Sequence, residues 1–506
     1  MQRSVLDDLE RSAGKYPKKT AFADVGEEIS YQELVQAAKR IASGICRRTG
    51  GQLRKPIMVL IDRDIKSVIS FFGIVYSGNF YVPIDRELPR ERIESMIRSI
   101  QPAGLIYRKE HEGTAAALEA PVEKMVCEEL LLEEAKEEAL AEVRGQMLDT
   151  DPLYAIFTSG STGVPKGVLV GNHSVIDLVD NFREVFGFDE NCVFGNQAPF
   201  DFDVSVKDIY STIKNGATMY IIPPTLFVMP AKLVSFLNEK RINTIIWAVS
   251  ALTVVANVKG FAREVPMHLR NVMFSGEVMP NKVLNYWRNA LPKCNYVNLY
   301  GPTEITCNCT YYKVERTFED WEALPIGKSF LNTGILLLDS ERKKAVGEGE
   351  TGEICVSGSS LALGYYNEIE KTNAAFIQNP LNWHYPERIY CTGDMGKYDS
   401  EGNLLFMSRR DAQIKHMGHR IELGEIEIAV NAMPFIESAV CLYDEEKQKI
   451  VLFYQAGGDR KKQIVTELGK KLPKYMWPNQ YRQYEKLPLN KHAKIDRMKL
   501  KEELRR

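Results

Sequence analysis

The chain has 506 residues, 44% hydrophobic and 26% charged, with a formal net charge of −2. That length exceeds one simple core, so several domains or subdomains of ordinary globular composition are expected. The near-neutral balance gives no basic field for nucleic acid, and neither an N-terminal apolar signal core nor a run of about 18 apolar residues occurs, so a cytoplasmic protein with no nucleic-acid and no membrane partner is expected. The nine cysteines are scattered. The tightest pair, Cys307 and Cys309, has neither zinc-finger nor CxxC spacing, so reduced thiols are expected.

Along the chain, short β-rich runs alternate with amphipathic helical patterns. "PIMVLID" (56–62) precedes "DIKSVISFFGIVYSG" (64–78), "TMYIIP" (218–223) precedes "PAKLVSFLNEKR" (230–241), and "NTIIWAV" (243–249) leads into a further helix. That alternation predicts α/β layers, with helices packed on mainly parallel sheets. The acidic stretch "CEELLLEEAKEEALAEVRGQML" (127–148) reads as a solvated surface helix. After about residue 330 the strands become glycine-punctuated, as in "TGILLLD", "GEICVSG" and "NLLFMSR", which predicts a smaller β-rich subdomain. The last hundred residues mix strands and helices and predict a separate α+β module beginning near Arg409–Asp411.

"TSGSTGVPKG" (158–167) follows "LYAIF" (153–157), a short apolar run that reads as a buried strand. The loop therefore sits at a strand's carboxyl end, where open α/β sheets bind ligands. It is not a P-loop. Lys166 follows Pro165, and Gly167 stands where Ser or Thr would be needed. Its glycines, Gly160 and Gly163 among them, still permit close backbone approach. Thr158, Ser159, Ser161 and Thr162 offer hydroxyls, and Lys166 offers a point charge, a set suited to phosphate.

Four later stretches narrow the class: "NLYGPTEIT" (298–306), "YCTGDMG" (390–396), "RRDAQIKHMGHRIELGEIE" (409–427) and "LPLNKHAKIDR" (487–497). With the loop above, and with "ISYQEL" (29–34), "GNFYVPIDRELPRERI" (78–93) and "GEICVSGSSLALGYYN" (352–367), they resemble the ordered motifs of the adenylate-forming enzymes. Within that superfamily they are most similar to the amino-acid adenylation domains of nonribosomal peptide synthetases and to D-alanine–carrier protein ligases. The resemblance implies an α/β fold: a large N-terminal domain of layered α/β subdomains plus a β-rich subdomain (1–409), and a small mobile α+β C-terminal domain (410–506). It implies ATP and Mg²⁺, and formation of an acyl-AMP with release of pyrophosphate. A carboxylate attacking a phosphate brings two anions together, so such a site needs positive charge, donors and a metal rather than a strong base.

By the same resemblance Thr158, Ser159, Gly160, Ser161, Thr162, Gly163 and Lys166 hold the β- and γ-phosphates. Glu304 holds Mg²⁺, Thr303 contacts the α-phosphate, and Tyr300 stacks on adenine with Asn298 near its amino group. Gly276, Glu277 and Gly301 complete the nucleotide site. Asp394 accepts the ribose hydroxyls, Arg409 reaches ribose and phosphate, and Lys494 bridges the substrate carboxylate and the α-phosphate. Two positions depart from the family pattern: Ser408 stands where Gly precedes the hinge arginine, and His492-Ala493 where Asn-Gly precedes the lysine.

"FDFDVSVKD" (200–208) resembles the segment whose aspartate, here Asp203, grips an α-amino group; aryl- and fatty-acid activators lack a carboxylate there. As a bare residue, Asp203 also reads as the N-cap of the following helix, and the two roles are compatible. The aligned pocket lining is Val204, Lys207, Trp247, Met273, Ser275, Leu299, Cys307 and Asn308. Trp247 and Met273 are expected to narrow the pocket against a large aromatic substrate. Lys207 leaves two alternatives open. It meets an acidic side chain on the substrate, or it pairs with Asp203 or snorkels outward, in which case a small neutral amino acid is favoured. The resemblance further implies transfer to a phosphopantetheinylated carrier protein, in trans or in a larger synthetase, since no His-His-x-x-x-Asp or Leu-Gly-Gly-x-Ser motif occurs. The rival readings are an acyl- or aryl-CoA ligase and a catalytically silent adenylate-binding protein.

Overall fold

The strands Pro56–Ile61 and Thr244–Ala248 are buried along their whole length. Continuous Val/Ile-rich runs of this kind suit parallel strands covered on both faces by helices. Each lies in the interior of a large sheet in the computed structural model, which describes residues 2–158, 166–319, 322–409, 413–431, 433–488 and 495–504.

One sheet has seven described strands, running from Gly364–Tyr365 through Lys166–Gly171, Pro152–Thr158, Phe80–Asp85, Pro56–Ile61 and Gly104–Tyr107 to Lys124–Val126. A nine-stranded sheet has a parallel centre made of Asn295–Tyr300, Asn271–Ser275, Thr244–Ala248, Val193–Asn196, Thr218–Ile221 and Thr20–Ala23, with antiparallel edges. A third, antiparallel sheet contains Thr333–Leu338, Gly352–Gly358, Arg388–Tyr398, Phe376–Gln378 and Leu404–Arg409. The expected strands, and the change to β-rich structure after residue 330, are therefore present. Local signals set several helix starts. Ser30 and Glu33 form a reciprocal capping box at the start of Tyr31–Arg48, and Asp64 caps Ile65–Tyr76 through the amide of Ser67.

The acidic stretch 127–148 departs from expectation. It forms two short helices, Cys127–Leu130 and Glu137–Gly145, rather than one. Leu130 and Leu140 are both buried, and the break lets the chain wrap the helix Tyr31–Arg48. Glu133 pairs with Arg47, and Glu129 and Glu137 with Arg48 and Lys39. Burying two leucines along a curved path outweighs the weak gain of one continuous exposed helix.

Beyond the third sheet, the described residues from 413 to 504 carry their own hydrophobic clusters. They comprise a hairpin (Gln413–His416 with His419–Glu422), a three-stranded sheet (Ser438–Asp444, Lys449–Gln455, Gln480–Tyr484) and the helices Leu423–Asn431, Lys461–Lys471 and Arg497–Leu504. This module docks on the body through a few defined contacts. Arg92 and Glu425 form a buried ion pair at 2.6 Å, the amide of Gly418 donates to Glu277 Oε1 at 2.9 Å, and the ring of Phe202 lies 6.0 Å from His419. Gly418 has φ +82°, and a Cβ added there would lie 3.5 Å from the Ala248 Cβ, so glycine suits both the turn and the close approach. No described helix is long and apolar enough to cross a membrane.

Candidate active site

The parallel strand Asn295–Tyr300 ends in Gly-Pro-Thr-Glu, and the chain turns back at once. A Cβ on Gly301 would stand 2.6 Å from the Asn308 Cα and 2.7 Å from the Cys307 carbonyl, so only glycine lets the returning segment cross here. Thr306 and Cys307 both take positive φ, +55° and +71°, a strained conformation for side-chain-bearing residues. That turn buries Glu304, Cys307 and Asn308.

Glu304 is fully buried and accepts a hydrogen bond from the Tyr365 hydroxyl at 2.8 Å. Lys166 Nζ lies 3.6 Å from Glu304 Oε1, donates to the Tyr365 hydroxyl at 3.1 Å and sits 4.2 Å from the Tyr365 ring centroid. Lys166 begins the strand Lys166–Gly171, and its ammonium shares one corner with the Glu304 carboxylate. Thr158, at the start of the glycine-rich loop, has a buried hydroxyl with no hydrogen-bond partner among the described residues. Tyr365 was not singled out from the sequence. Its signal is the "GYY" end of a motif recognised for its order alone.

A second group lies nearby. Tyr300 donates to Asp394 Oδ2 at 2.7 Å, and burial together with the Asp394 charge pushes its phenol well above the ordinary value. Asp394 occupies the long strand Arg388–Tyr398, opposite Arg409 in the backbone register. Asn298 Nδ2 donates to the Pro325 carbonyl at 2.8 Å, which leaves the side-chain oxygen as its remaining polar atom. Glu277, next to Gly276 (φ +97°), has its carboxyl raised by burial although the Gly418 amide opposes the shift. Lys415, also not anticipated, reaches over Tyr300 from the docked hairpin, 5.9 Å from the ring centroid.

The third group surrounds Asp203. Asp203 is 6% exposed and precedes the helix Val204–Asn215, yet its side chain makes no cap hydrogen bond, so the capping role is not the one it plays. Burial raises its carboxyl, while the Thr303 side chain and the charges of Lys207 and Lys415 act in the opposite direction. One turn on, Lys207 is 1% exposed, and burial lowers its ammonium. Its Nζ donates to Ser275 Oγ and Asn308 Oδ1, each at 3.0 Å, so it neither snorkels nor, among the described residues, forms an ion pair with Asp203. The Cys307 thiol donates to the Asp203 carbonyl at 2.9 Å, and burial holds it protonated. Val204, Met273 and Leu299 are buried here, with Met273 and Leu299 in the same apolar cluster.

Trp247 does not join them. Its strand pairs Ile246 with Met273 and Ala248 with Ser275, whereas Trp247 lies opposite Phe274. Alternation therefore sends its indole through the sheet to the other face. There it packs edge-on against Trp287 and Phe227 and donates to the Gly195 carbonyl at 2.7 Å. The expected narrowing of the pocket by Trp247 is thus corrected, and Ile246 and Ala248 are the residues of this strand on the face of Met273 and Ser275. Ser159, Gly160, Ser161, Thr162, Gly163, Lys494 and the side chain of Arg409 lie outside the described residues.

Residues 9–366 match the family model described as "AMP-binding enzyme". The chain belongs to the AMP-binding enzyme family. It is 32% identical to a D-alanine–D-alanyl carrier protein ligase of Bacillus licheniformis over 99% of each chain. It is also 32% identical to bacitracin synthase 1 of the same organism over 98% of this chain, but spans only 9% of that relative's length. Among solved structures, the Vibrio cholerae adenylation domain AlmE in complex with glycyl-adenosine-5'-phosphate aligns over 99% of this chain and 98% of its own, with a TM-score of 0.84 at 21% identity. That last likeness establishes the α/β fold of this AMP-binding enzyme.

Proposed function

We propose that the protein activates an α-amino acid with ATP as an aminoacyl-AMP and passes the acyl group to a phosphopantetheine thiol on a carrier protein. The observation that carries this reading is Asp203, a buried carboxylate that caps no helix, next to Thr303 and one residue further from Glu304. An ammonium entering a dry pocket needs such a counter-ion. An acyl- or aryl-CoA ligase has no use for it.

In the first step the substrate carboxylate oxygen attacks the α-phosphorus, the bond to the bridging oxygen breaks, and pyrophosphate leaves. Lys166 and the loop before it hold the departing phosphates, and Thr303 contacts the α-phosphate. Tyr300 and Asn298 receive the adenine, and Asp394 the ribose. Glu304 suits Mg²⁺, a hard cation commonly held by one or two carboxylates plus substrate phosphates. The ion supplies charge neutralisation on the phosphates, and Tyr365 and Lys166 orient the carboxylate that receives it. Lys494 cancels charge between carboxylate and phosphate. In the second step a thiol sulfur bonds to the acyl carbon, the thiol proton is released, and AMP leaves with the bonding pair.

In this reading the boundary between body and mobile module lies at 409/410. The docked hairpin, with Gly418 on Glu277 and Lys415 over Tyr300, supports assigning this arrangement to thiol transfer, with a second arrangement bringing Lys494 inward. The test is exchange of labelled pyrophosphate into ATP across the twenty amino acids plus D-alanine. Amino-acid-dependent exchange is expected; exchange driven only by acids lacking an α-amino group would refute the reading.

A further inference from the structure

One turn along the helix from Asp203, the buried polar groups carry hydrogen-bond donors in excess of acceptors. Lys207 Nζ has three N–H donors, and two are used on Ser275 Oγ and Asn308 Oδ1. The ammonium fixes how the Asn308 amide is turned, because the reverse orientation would set donor against donor. Asn308 Nδ2 is then left buried with no hydrogen-bond partner among the described residues. Ser275, having accepted from Lys207, retains a hydroxyl hydrogen to donate. All three residues are at most 3% exposed, so water does not readily satisfy these groups.

Charge leads to the same place. Lys207 is nearly fully buried, and the closest atoms it binds are neutral. Asp208 accepts from Asn196 Nδ2 at 2.8 Å; its charge is felt at Lys207, but the two form no ion pair among the described residues. Asp203 adds to the field at Lys207 but is the counter-ion of the α-ammonium in the function proposed above. An apolar substrate side chain would leave the third ammonium hydrogen and the Asn308 Nδ2 amide unanswered. An amide side chain would turn its own NH₂ toward donors. A carboxylate is acceptor-only, with about four lone-pair sites, and answers every open donor at once.

From this juxtaposition we propose that the substrate is an α-amino acid with a side-chain carboxylate, held by Lys207, Ser275 and Asn308 while Asp203 holds the α-ammonium. Asp203 and Lys207 stand one helical turn apart, about 5–6 Å between Cβ atoms. An ammonium and a carboxylate separated by the two or three carbons of aspartate or glutamate can meet both. The two ends of the substrate are read by opposite charges on one helix face.

This inference rests on the amino-acid adenylation reading, and one assay separates the two. Pyrophosphate exchange is measured on the wild-type protein with aspartate, glutamate and 2-aminoadipate, against asparagine, glutamine, alanine, valine and phenylalanine. One acidic substrate is expected to exceed its own amide and every neutral competitor at least ten-fold in kcat/KM. Lys207→Leu should lower exchange with that substrate by 100-fold or more and raise exchange with an aliphatic amino acid. Ser275→Ala should give a smaller loss in the same direction. A neutral amino acid, or the amide, equalling or exceeding the acid in the wild type overturns the inference while leaving adenylation standing. This comparison needs no variant to fold. Absence of exchange with every amino acid overturns the adenylation reading and this inference with it.

Discussion

Replacing Asp203 with Asn keeps the shape of the side chain and removes its charge. The residue is 6% exposed, so solvent screens little of the contact it would make with an ammonium. A charge-assisted hydrogen bond contributes about 1.5–3 kcal/mol, and breaking a buried ion pair costs about 3–5 kcal/mol. With the Thr303 side chain still beside the site, a loss of roughly 3 kcal/mol is expected, or about 10²-fold in kcat/KM for the amino acid. Asp203→Ala should lose at least as much. The free protein should respond in the opposite sense. Burial raises the Asp203 carboxyl, so its contribution to stability is full below the unfolded value of 3.8 and is lost as pH rises through the folded value. The Asn variant should therefore melt higher than wild type at pH 8, an advantage that shrinks toward pH 4. It should also lack the fall in kcat/KM that protonation of Asp203 imposes on wild type at acid pH. Steady-state exchange kinetics and thermal melts across pH measure both effects. A variant with unchanged kinetics, or a wild type that prefers des-amino acids, would refute the role.

The other predictions concern the phosphate corner and the docked module. Glu304→Gln should lower adenylation on the order of 10²-fold and raise the Mg²⁺ concentration needed for half-maximal rate; an unchanged Mg²⁺ titration would remove Glu304 as the metal ligand. Tyr365→Phe deletes the hydroxyl shared by Lys166 and Glu304 and should cost ~1–2 kcal/mol in kcat/KM for ATP, with little change in amino-acid KM. Lys494→Ala should abolish adenylate formation while transfer from supplied aminoacyl-AMP to a carrier thiol survives; equal loss of both half-reactions contradicts the two-arrangement assignment. His419 is stacked on Tyr475, 3.6 Å between ring centroids, and burial pulls its imidazole down to about 4. Its contribution is therefore full above pH 6.5 and lost as pH falls toward 4, and His419→Phe should flatten the loss of thermal stability over that range.

Strands and their order were legible because continuous apolar runs and glycine punctuation fix element type locally. The grouping of Lys166, Glu304, Thr303 and Asp203 was legible only through the resemblance to the adenylate-forming enzymes, since residue type and spacing alone left each a bland alternative. Trp247 was misplaced because a tryptophan in an all-buried strand carries no alternating polarity, and only the pairing of Ile246 with Met273 reveals which face it takes. The partners of Lys207 could not be read either. Ser275 and Asn308 lie 68 and 101 residues away and meet it through sheet register and a positive-φ turn. Tyr365 was inside a motif noticed for its position, and its link to Lys166 spans 199 residues. The acidic segment split because burial of Leu130 and Leu140 depends on the curvature of the surface beneath it, which composition does not encode.

The central claim is that a substrate carboxylate attacks the α-phosphorus of ATP. An amino acid labelled with ¹⁸O in both carboxylate oxygens, incubated with the protein, ATP, Mg²⁺ and a carrier thiol, tests it directly by mass spectrometry of the released nucleotide. The mechanism predicts AMP carrying one ¹⁸O, together with unlabelled pyrophosphate. ADP with labelled phosphate, or AMP free of label, would contradict it.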